Sequence, residues 1–327
     1  MANTVIITGN RGYLGTVLTR RLRKDGYVVV GLDAGIYEGP FDLPYDAQPH
    51  VQLWGSSLAE LPAAFYHPTA VVHLAALSND ILGEISTEQT FHTNIKLVAD
   101  VASLFLDHPQ TMRPTRQILA SSCSVYGAPG HMVDEASPVA PLTAYAASKV
   151  MAEELIGHIC PWSVSLRFGT LWGASPNMRP DLAINAFAYQ ARSGKIAPLS
   201  DAKRPFLHVE DAADAIAVAI NSEITGIINV PGENMTVNEA AKLVAEVAEV
   251  DFSPYVGETE GDLRSYWVKS LNPIPLQLSN RDKRIEELLD CVDQQPNALP
   301  RVEAYKRWLN QEKTYVVAGN EEGVTEI

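Results

Sequence analysis

The sequence is poor in the features that mark disulfide-built, metal-bound, membrane-embedded or polyanion-binding proteins. Its 327 residues include three cysteines, Cys123, Cys160 and Cys291. That is an odd number without metal-ligand spacing, so no metal site is expected and a reduced, cytoplasmic setting is. No apolar run approaches the roughly 20 residues that span a bilayer. A strand-like run, Thr4-Val-Ile-Ile-Thr8, begins at once, so no signal peptide is expected. Basic residues are the minority: 25 Lys and Arg stand against 39 Asp and Glu, a net charge of −14. General affinity for nucleic acid or an anionic membrane is therefore not expected, because both reward a cationic excess. An anionic small ligand needs only a few local cations and stays open. Internal repeats and low-complexity tracts are absent.

What is present is a full complement of core residues, 46% of the chain, and a length that suits about two domains. Short apolar runs at Val5–Thr8, Val28–Asp33, Ala70–Leu74, Gln117–Ser121 and Ser163–Arg167 read as buried strands. Amphipathic stretches at Thr16–Lys24, Thr87–Leu106 and Tyr145–His158 alternate with them as helices. This alternation predicts an α/β fold, a doubly wound parallel sheet of Rossmann type with helices on both faces. After Arg167 the pattern breaks. A loop-rich stretch, Trp172–Pro180, precedes a helix near Asp181–Ser193, the segment Lys203–Asp211, and helical patterns at Ala212–Asn221 and Val237–Val250. Residues 1–167, with 205–230 returning to them, are expected to bind a cofactor. Residues 168–204 and 231–327 form a smaller interleaved α+β region for the substrate. The tail Ala318–Ile327 is expected to fray.

The first strand leads into Thr8-Gly9-Asn10-Arg11-Gly12-Tyr13-Leu14-Gly15 and then a helix. Glycines at these positions permit a tight turn, close approach of backbone to a diphosphate, and close packing of helix on strand. The helix N-terminus supplies free N–H groups and a positive dipole end. Asp33, at the end of the second strand, can accept hydrogen bonds from a ribose and would repel a 2′-phosphate. Arg11 pulls the other way, toward NADP. The weight falls on Asp33, and NAD is the expected cofactor.

Tyr145 and Lys149 stand four apart, on one face of a predicted helix. An ammonium beside a phenol favours the phenolate and could provide an acid/base group near neutral pH. Tyr and Lys at this spacing are common on solvated helices, so the pair gains meaning only from its company. With the glycine loop and Ser121-Ser-Cys-Ser-Val-Tyr-Gly127, the chain resembles an extended short-chain dehydrogenase/reductase, in the NAD-dependent epimerase/dehydratase family. His73-Leu-Ala-Ala76, Asn94, and Arg204-Pro-Phe-Leu-His-Val209 with Asp211 follow in the family's order. The resemblance is close from Val5 to Val230 and loose beyond.

The resemblance implies that Tyr145 exchanges a proton with a sugar hydroxyl. It implies that Lys149 binds the nicotinamide ribose and lowers the tyrosine's pKa, and that Ser122 hydrogen-bonds the same sugar oxygen. It adds Leu74, Ala75, Ala76 and Asn94 to the cofactor site. A nucleotide-diphosphate sugar is the implied substrate, with Arg204 on its diphosphate and Arg264 and Arg179 as further candidates. His208 reads as a packed histidine without a catalytic role. Dehydratases of the family place an acid and a base, or at least a Glu, directly after the serine, whereas this chain has Cys123 and Ser124. The expected activity is therefore that of a nucleotide-sugar epimerase similar to UDP-galactose 4-epimerase, which segment Gly261–Trp267 also resembles. A dehydratase or 4-ketoreductase is the enzymatic alternative, and a non-catalytic NAD(P)-sensing scaffold is the alternative of another class. Cys123 also prompts comparison with epimerases that use a cysteine acid, but the count from Val-Tyr-Gly puts that cysteine at Ser124, so Cys123 reads as a buried, inert thiol. Three departures touch the ligands: Thr170 replaces the usual Asn, Ser57-Leu58 replaces an adenine-contacting Asp-Leu, and Leu271–Leu276 carries prolines that resist helix. By the same resemblance, a homodimer would pack the helices near Thr87–Leu106 and Tyr145–His158 against their symmetry mates.

Overall fold

The computed structural model describes residues 3–36, 50–51, 67–78, 86–105, 115–257, 265–276 and 280–310. Ser57-Leu58, Arg264, most of Gly261–Trp267 and the tail Ala318–Ile327 lie outside them. Strands β1 (Thr4–Thr8), β2 (Val28–Leu32), β3 (His50–Val51), β4 (Ala70–His73), β5 (Arg116–Ser122), β6 (Val164–Phe168) and β7 (Gly226–Val230) form one sheet. Their order is β7-β6-β5-β4-β1-β2-β3. Every pairing is parallel, with Val5 of β1 opposite Val29 of β2 and Ala70 of β4.

Side chains alternate between the two faces along each strand, and both faces are covered. Val5 and Ile7 of β1 join the large core that holds Leu18 and Leu22 of helix α1 (Tyr13–Lys24). Ile6, between them, faces a second core with Val30, Val71 and Val101. Val101 belongs to helix α2, residues 87–104, and a further cluster joins its Val98 to Leu119 of β5 and Ala152 and Ile156 of helix α3 (Ala144–Ile159). Apolar runs buried on both sides explain why these strands read from sequence as continuous stretches and not as alternating ones.

Helix α2 differs from the uninterrupted helix expected over Thr87–Leu106. It is α-helical at Thr87–Phe91, π-helical at His92–Lys96 and α-helical again at Leu97–Leu104. The wider turn shifts the helical phase, so that Asn94 is buried while Val98 and Val101 still reach the sheet.

Helices α4 (Ala183–Ala191), α5 (Val209–Asn221), α6 (Val237–Ala248), α7 (Arg281–Gln294) and α8 (Arg301–Asn310) complete the described chain. Helix α4 starts two residues after the expected Asp181, whose carboxylate is engaged by Arg179 at 2.7 Å. His208 caps α5, and a reciprocal Thr236–Glu239 capping box starts α6. Thr170–Trp172 and Glu233–Thr236 flank Lys203–His208 in a small mixed sheet. Residues 271–276 carry no regular element, in keeping with their prolines. Arg284 of α7 reaches Asp211 of α5 through two 2.6 Å bonds, tying the C-terminal region to the sheet domain.

Candidate active site

After β1 the chain moves outward to β2 and β3, then returns to β1's other side as β4. A crevice opens at such a reversal, beyond the C-terminal ends of the strands. Here it is a cavity of about 900 Å³, lined by the loops after β1, β2, β4 and β5 and by residues from the C-terminal region.

The glycine loop forms its floor. Gly9 has φ +72°, and a Cβ there would lie 2.8 Å from the backbone nitrogen of Ala75. A Cβ on Gly15 would lie 2.1 Å from the Gly9 carbonyl, so α1 is seated directly on the turn. Gly9, Gly12, Tyr13, Leu14 and Gly15 line the cavity, as do Leu74, Ala75 and Ala76 across from them. Asn10 and Arg11 do not. Asn10 is buried behind the loop, where its amide group occupies the space a Cβ on Gly31 would need. The Arg11 N–H donates to the Asp33 carboxylate at 2.9 Å, and the Gly35 N–H does so at 2.8 Å. Asp33 thereby pins the loop while still facing the cavity. Tyr13 lines the wall, but its hydroxyl is committed, donating to the Gly173 carbonyl at 2.7 Å and accepting from Asn185 at 3.2 Å.

Thr143 caps α3 and fixes where Tyr145 and Lys149 point. Both side chains reach the cavity. The Lys149 ammonium lies 5.8 Å from the Tyr145 ring centre and donates to the Ala120 carbonyl at 2.8 Å. Burial pushes its pKa down to about 8, against the opposing pull of Glu153. For Tyr145 the outcome differs from expectation. Burial pushes the phenol up, and the groups that oppose this are Arg179 and the hydroxyl of Ser122, not Lys149. Lys149 has spent its nearest contact on backbone.

Ser122 ends β5. Its hydroxyl accepts from the Ser124 N–H at 3.2 Å and pairs with the Ser124 hydroxyl at 2.9 Å. Cys123 turns the other way, with its thiol donating to the Arg167 carbonyl at 3.2 Å and its pKa raised by burial. Asn94 lies behind the cavity lining as a brace. It binds the backbone N–H of Leu77 at 2.8 Å and the Ser148 hydroxyl at 2.9 Å, while Ser148 donates to the Tyr145 carbonyl. His208 packs edge-on against Trp172 at 4.7 Å, and a Cβ on Gly173 would overlap its ring.

On the C-terminal side, Arg204 stands 5.6 Å from the Tyr266 ring and faces the cavity. Arg179 bonds Asp181 and the Ser78 carbonyl. Thr170 also lines the wall. Sequence reasoning missed Arg301 and Tyr305 of α8, both in the lining, because nothing local distinguishes them from residues of any surface helix. Among the described residues the lining carries four cations (Lys149, Arg179, Arg204, Arg301) and two carboxylates (Asp33, Asp181). The cavity is thus locally cationic in a strongly acidic chain. No group of three His, Cys, Asp or Glu among the described residues is placed to hold a metal, and no described helix is long and apolar enough to cross a membrane.

Residues 5–230 match the model of the NAD dependent epimerase/dehydratase family. The chain belongs to that family. Among curated relatives, the dTDP-glucose 4,6-dehydratase of Neisseria gonorrhoeae is 27% identical over 272 residues, covering 75% of this chain and 78% of the relative. A protein of Bacillus subtilis (strain 168) described as an uncharacterized UDP-glucose epimerase is 26% identical over 271 residues, 75% of this chain and 82% of that one. Of the solved structures, the Thermus thermophilus UDP-glucose 4-epimerase in complex with NAD superposes with a TM-score of 0.72 at 23% identity, covering 89% of this chain and 99% of that one. MoeE5 in complex with UDP-glucose and NAD gives 0.74 at 22% identity, covering 90% and 100%. These likenesses share the fold seen here.

The family's cofactor is NAD, and the site fits it. Loop and helix leave only backbone where a diphosphate would sit, and Asp33 presents a carboxylate where a 2′-phosphate would be repelled. Gly9, Gly12, Tyr13, Leu14, Gly15, Asp33 and Leu74–Ala76 are the residues that would hold it, with Lys149 at the far end.

Proposed function

We propose that this protein is a nucleotide-sugar epimerase that works through a transient 4-keto sugar, with Tyr145 as the acid/base. The observation that carries this reading lies in the two positions after Ser122. Elimination of water needs a second acid or base beside the sugar, and neither position supplies one. Cys123 is turned into the protein with its proton held tightly, and Ser124 is a hydroxyl bonded to Ser122. Epimerisation needs only one proton-transfer group, used in both directions.

NAD, when bound, supplies hydride acceptance and return. Tyr145 takes the proton of the sugar hydroxyl and later gives it back. Ser122 steadies the sugar oxygen as its charge develops, with Ser124 holding the serine in place. Arg179 and the Ser122 hydroxyl partly offset the upward push of burial on the Tyr145 phenol. Lys149 holds the nicotinamide ribose from its anchor on Ala120. Arg204, stacked near Tyr266, pairs with the substrate diphosphate, and Arg179 and Arg264 are further contacts for it. Asn10 and Arg11 shape the cofactor loop from behind, and Asn94 sets the distance between Leu77 and α3. Residues 1–167 and 205–230 carry the cofactor, and residues 168–204 and 231–327 carry the sugar nucleotide. The chain forms a homodimer through the outer faces of α2 and α3, a reading supported by the exposure of Met151 on α3 and Leu142 just before it.

Incubation of the purified protein with a panel of UDP-, dTDP- and GDP-sugars, read by mass spectrometry and NMR, tests the reading. A product of unchanged mass with inverted C4 is expected. A product lighter by one water would replace it with dehydration. Tyr145→Phe is expected to lower turnover by at least about 100-fold while leaving bound NAD in place. Wild-type turnover in that variant would remove Tyr145 from the mechanism.

A further inference from the structure

Helix α8 is the last helix of the described residues. It lies across the mouth of the crevice that opens at the strand reversal. Tyr305 and Val302 pack on Ile36, just past Asp33, and on Leu77, just past β4. These two contacts lie on opposite banks of the crevice, since β2 and β4 flank β1 on either side. The Tyr305 hydroxyl is bonded to Gln89 of α2, which also lines the cavity. At its first turn, Arg301 is only 3% exposed yet belongs to the cavity lining. Its guanidinium donates to the side-chain Oδ1 of Asn177 at 3.5 Å, and the Asn177 side-chain Nδ2 donates to the Arg11 backbone carbonyl of the glycine loop at 2.7 Å. Just before α8, Gln295 is fixed to the same loop region, donating to the Ser175 carbonyl at 2.9 Å. The Ser175 hydroxyl in turn donates to the Tyr13 carbonyl at 2.8 Å.

We infer that α8 is a strap over the bound dinucleotide, in which Arg301 supplies a cation to its anionic diphosphate and Tyr305 latches the strap to the opposite bank. The chemistry is that of the glycine loop completed from above. Backbone N–H groups and a helix dipole hold a diphosphate from one side. A nearly buried arginine linked to that loop through Asn177 can neutralise it from the other. With both banks bridged, NAD cannot leave without lifting α8, so the strap converts the cofactor from an exchangeable ligand into a resident one. That suits a reaction that returns its hydride in each cycle and needs no fresh oxidant. The inference rests on NAD as the cofactor and not on which sugar reaction takes place.

The test reads NAD directly, without any sugar, so its failure leaves the epimerase reading untouched. Full-length protein loaded with NAD is diluted into a trap that consumes free NAD, and release is followed over time. Arg301→Ala is expected to release NAD about tenfold faster or more, the worth of one charge-assisted hydrogen bond. Tyr305→Phe, which keeps the packing and removes the bond to Gln89, is expected to release it measurably faster as well. Circular dichroism of each variant checks the fold. Wild-type release rates in folded Arg301→Ala would overturn the inference. Should that variant fail to fold, Tyr305→Phe decides alone: faster release supports the strap and an unchanged rate ends it.

Discussion

Lys149 shows how one side chain can be picked out from sequence while one effect expected of it, the lowering of the Tyr145 pKa, falls to Arg179 and Ser122 in the fold. Spacing alone pairs it with Tyr145. In the fold its ammonium donates to the Ala120 carbonyl, and burial holds its pKa at about 8. It is therefore cationic at neutral pH and loses its proton as pH rises through about 8. If the cation is what holds the nicotinamide ribose, kcat/KM falls on the alkaline side with a midpoint near that value. Lys149→Arg should move that limb upward, because a guanidinium does not titrate in this range. A pH profile of the two proteins checks this, and an identical alkaline limb in both would separate Lys149 from the titration. For stability the sign is opposite. A lysine whose folded pKa lies below its unfolded value binds fewer protons when folded, so its charged form opposes folding below about pH 8. That penalty is relieved as pH rises from there toward 10.5.

One turn further along α3, Glu153 faces inward and joins three elements. It receives two bonds from Arg167 of β6, at 2.9 and 2.7 Å, and one from the Ser121 hydroxyl of β5. Arg167 also donates to the Tyr126 hydroxyl at 2.9 Å, and Tyr126 to Asn229 of β7 at the same distance. Both charged side chains are nearly sealed from water, 4% and 3% exposed. Removing one partner of such a pair strands the other, and Glu153→Gln should cost about 3–5 kcal/mol. The double variant Glu153→Gln with Arg167→Met should be less damaged than the sum of the singles. Denaturant titrations of the three variants measure this, and strict additivity would show that the two groups do not depend on each other. This network lay beyond sequence reading for a physical reason. Glu153 and Arg167 are 14 residues apart, and only strand order brings a helix turn onto the end of β6. The strands themselves were legible, because runs such as Val5-Ile-Ile7 have no other place to go than a sheet covered on both sides. The π turn in α2 was not, since it depends on the meeting of Asn94 with Leu77.

At the scale of the molecule, the bulk charge and the site carry opposite messages. A net charge of −14 predicted no affinity for polyanions, yet four cations gather in one cavity. Composition averages over a surface, while the fold selects. The glycine loop, Asp33 and the Tyr–Lys pair could be read in advance because each lies within a few residues of its partners or of a strand end. Arg301 could not, because its position depends on the chain crossing back over the crevice after almost 300 residues. Two histidines lie in the interior of the fold. His73 of β4 shares a hydrogen bond with Gln117 at 2.8 Å, and His208 caps α5 beneath Gly173. Burial holds their pKa values down at about 4 and about 3, with Lys149 adding to the effect at the first and Arg284 at the second. In the unfolded chain each would titrate near 6.5. Between pH 6.5 and 4 the unfolded state binds more protons than the folded one, so stability falls as pH falls through that window. Thermal midpoints should be level near neutrality and decline below about pH 6.5, before the carboxylates begin to titrate. His73→Gln and His208→Asn remove the titrating groups, and each should flatten the decline between pH 6.5 and 5. A slope unchanged in both variants would place the origin of any acid sensitivity outside these two side chains.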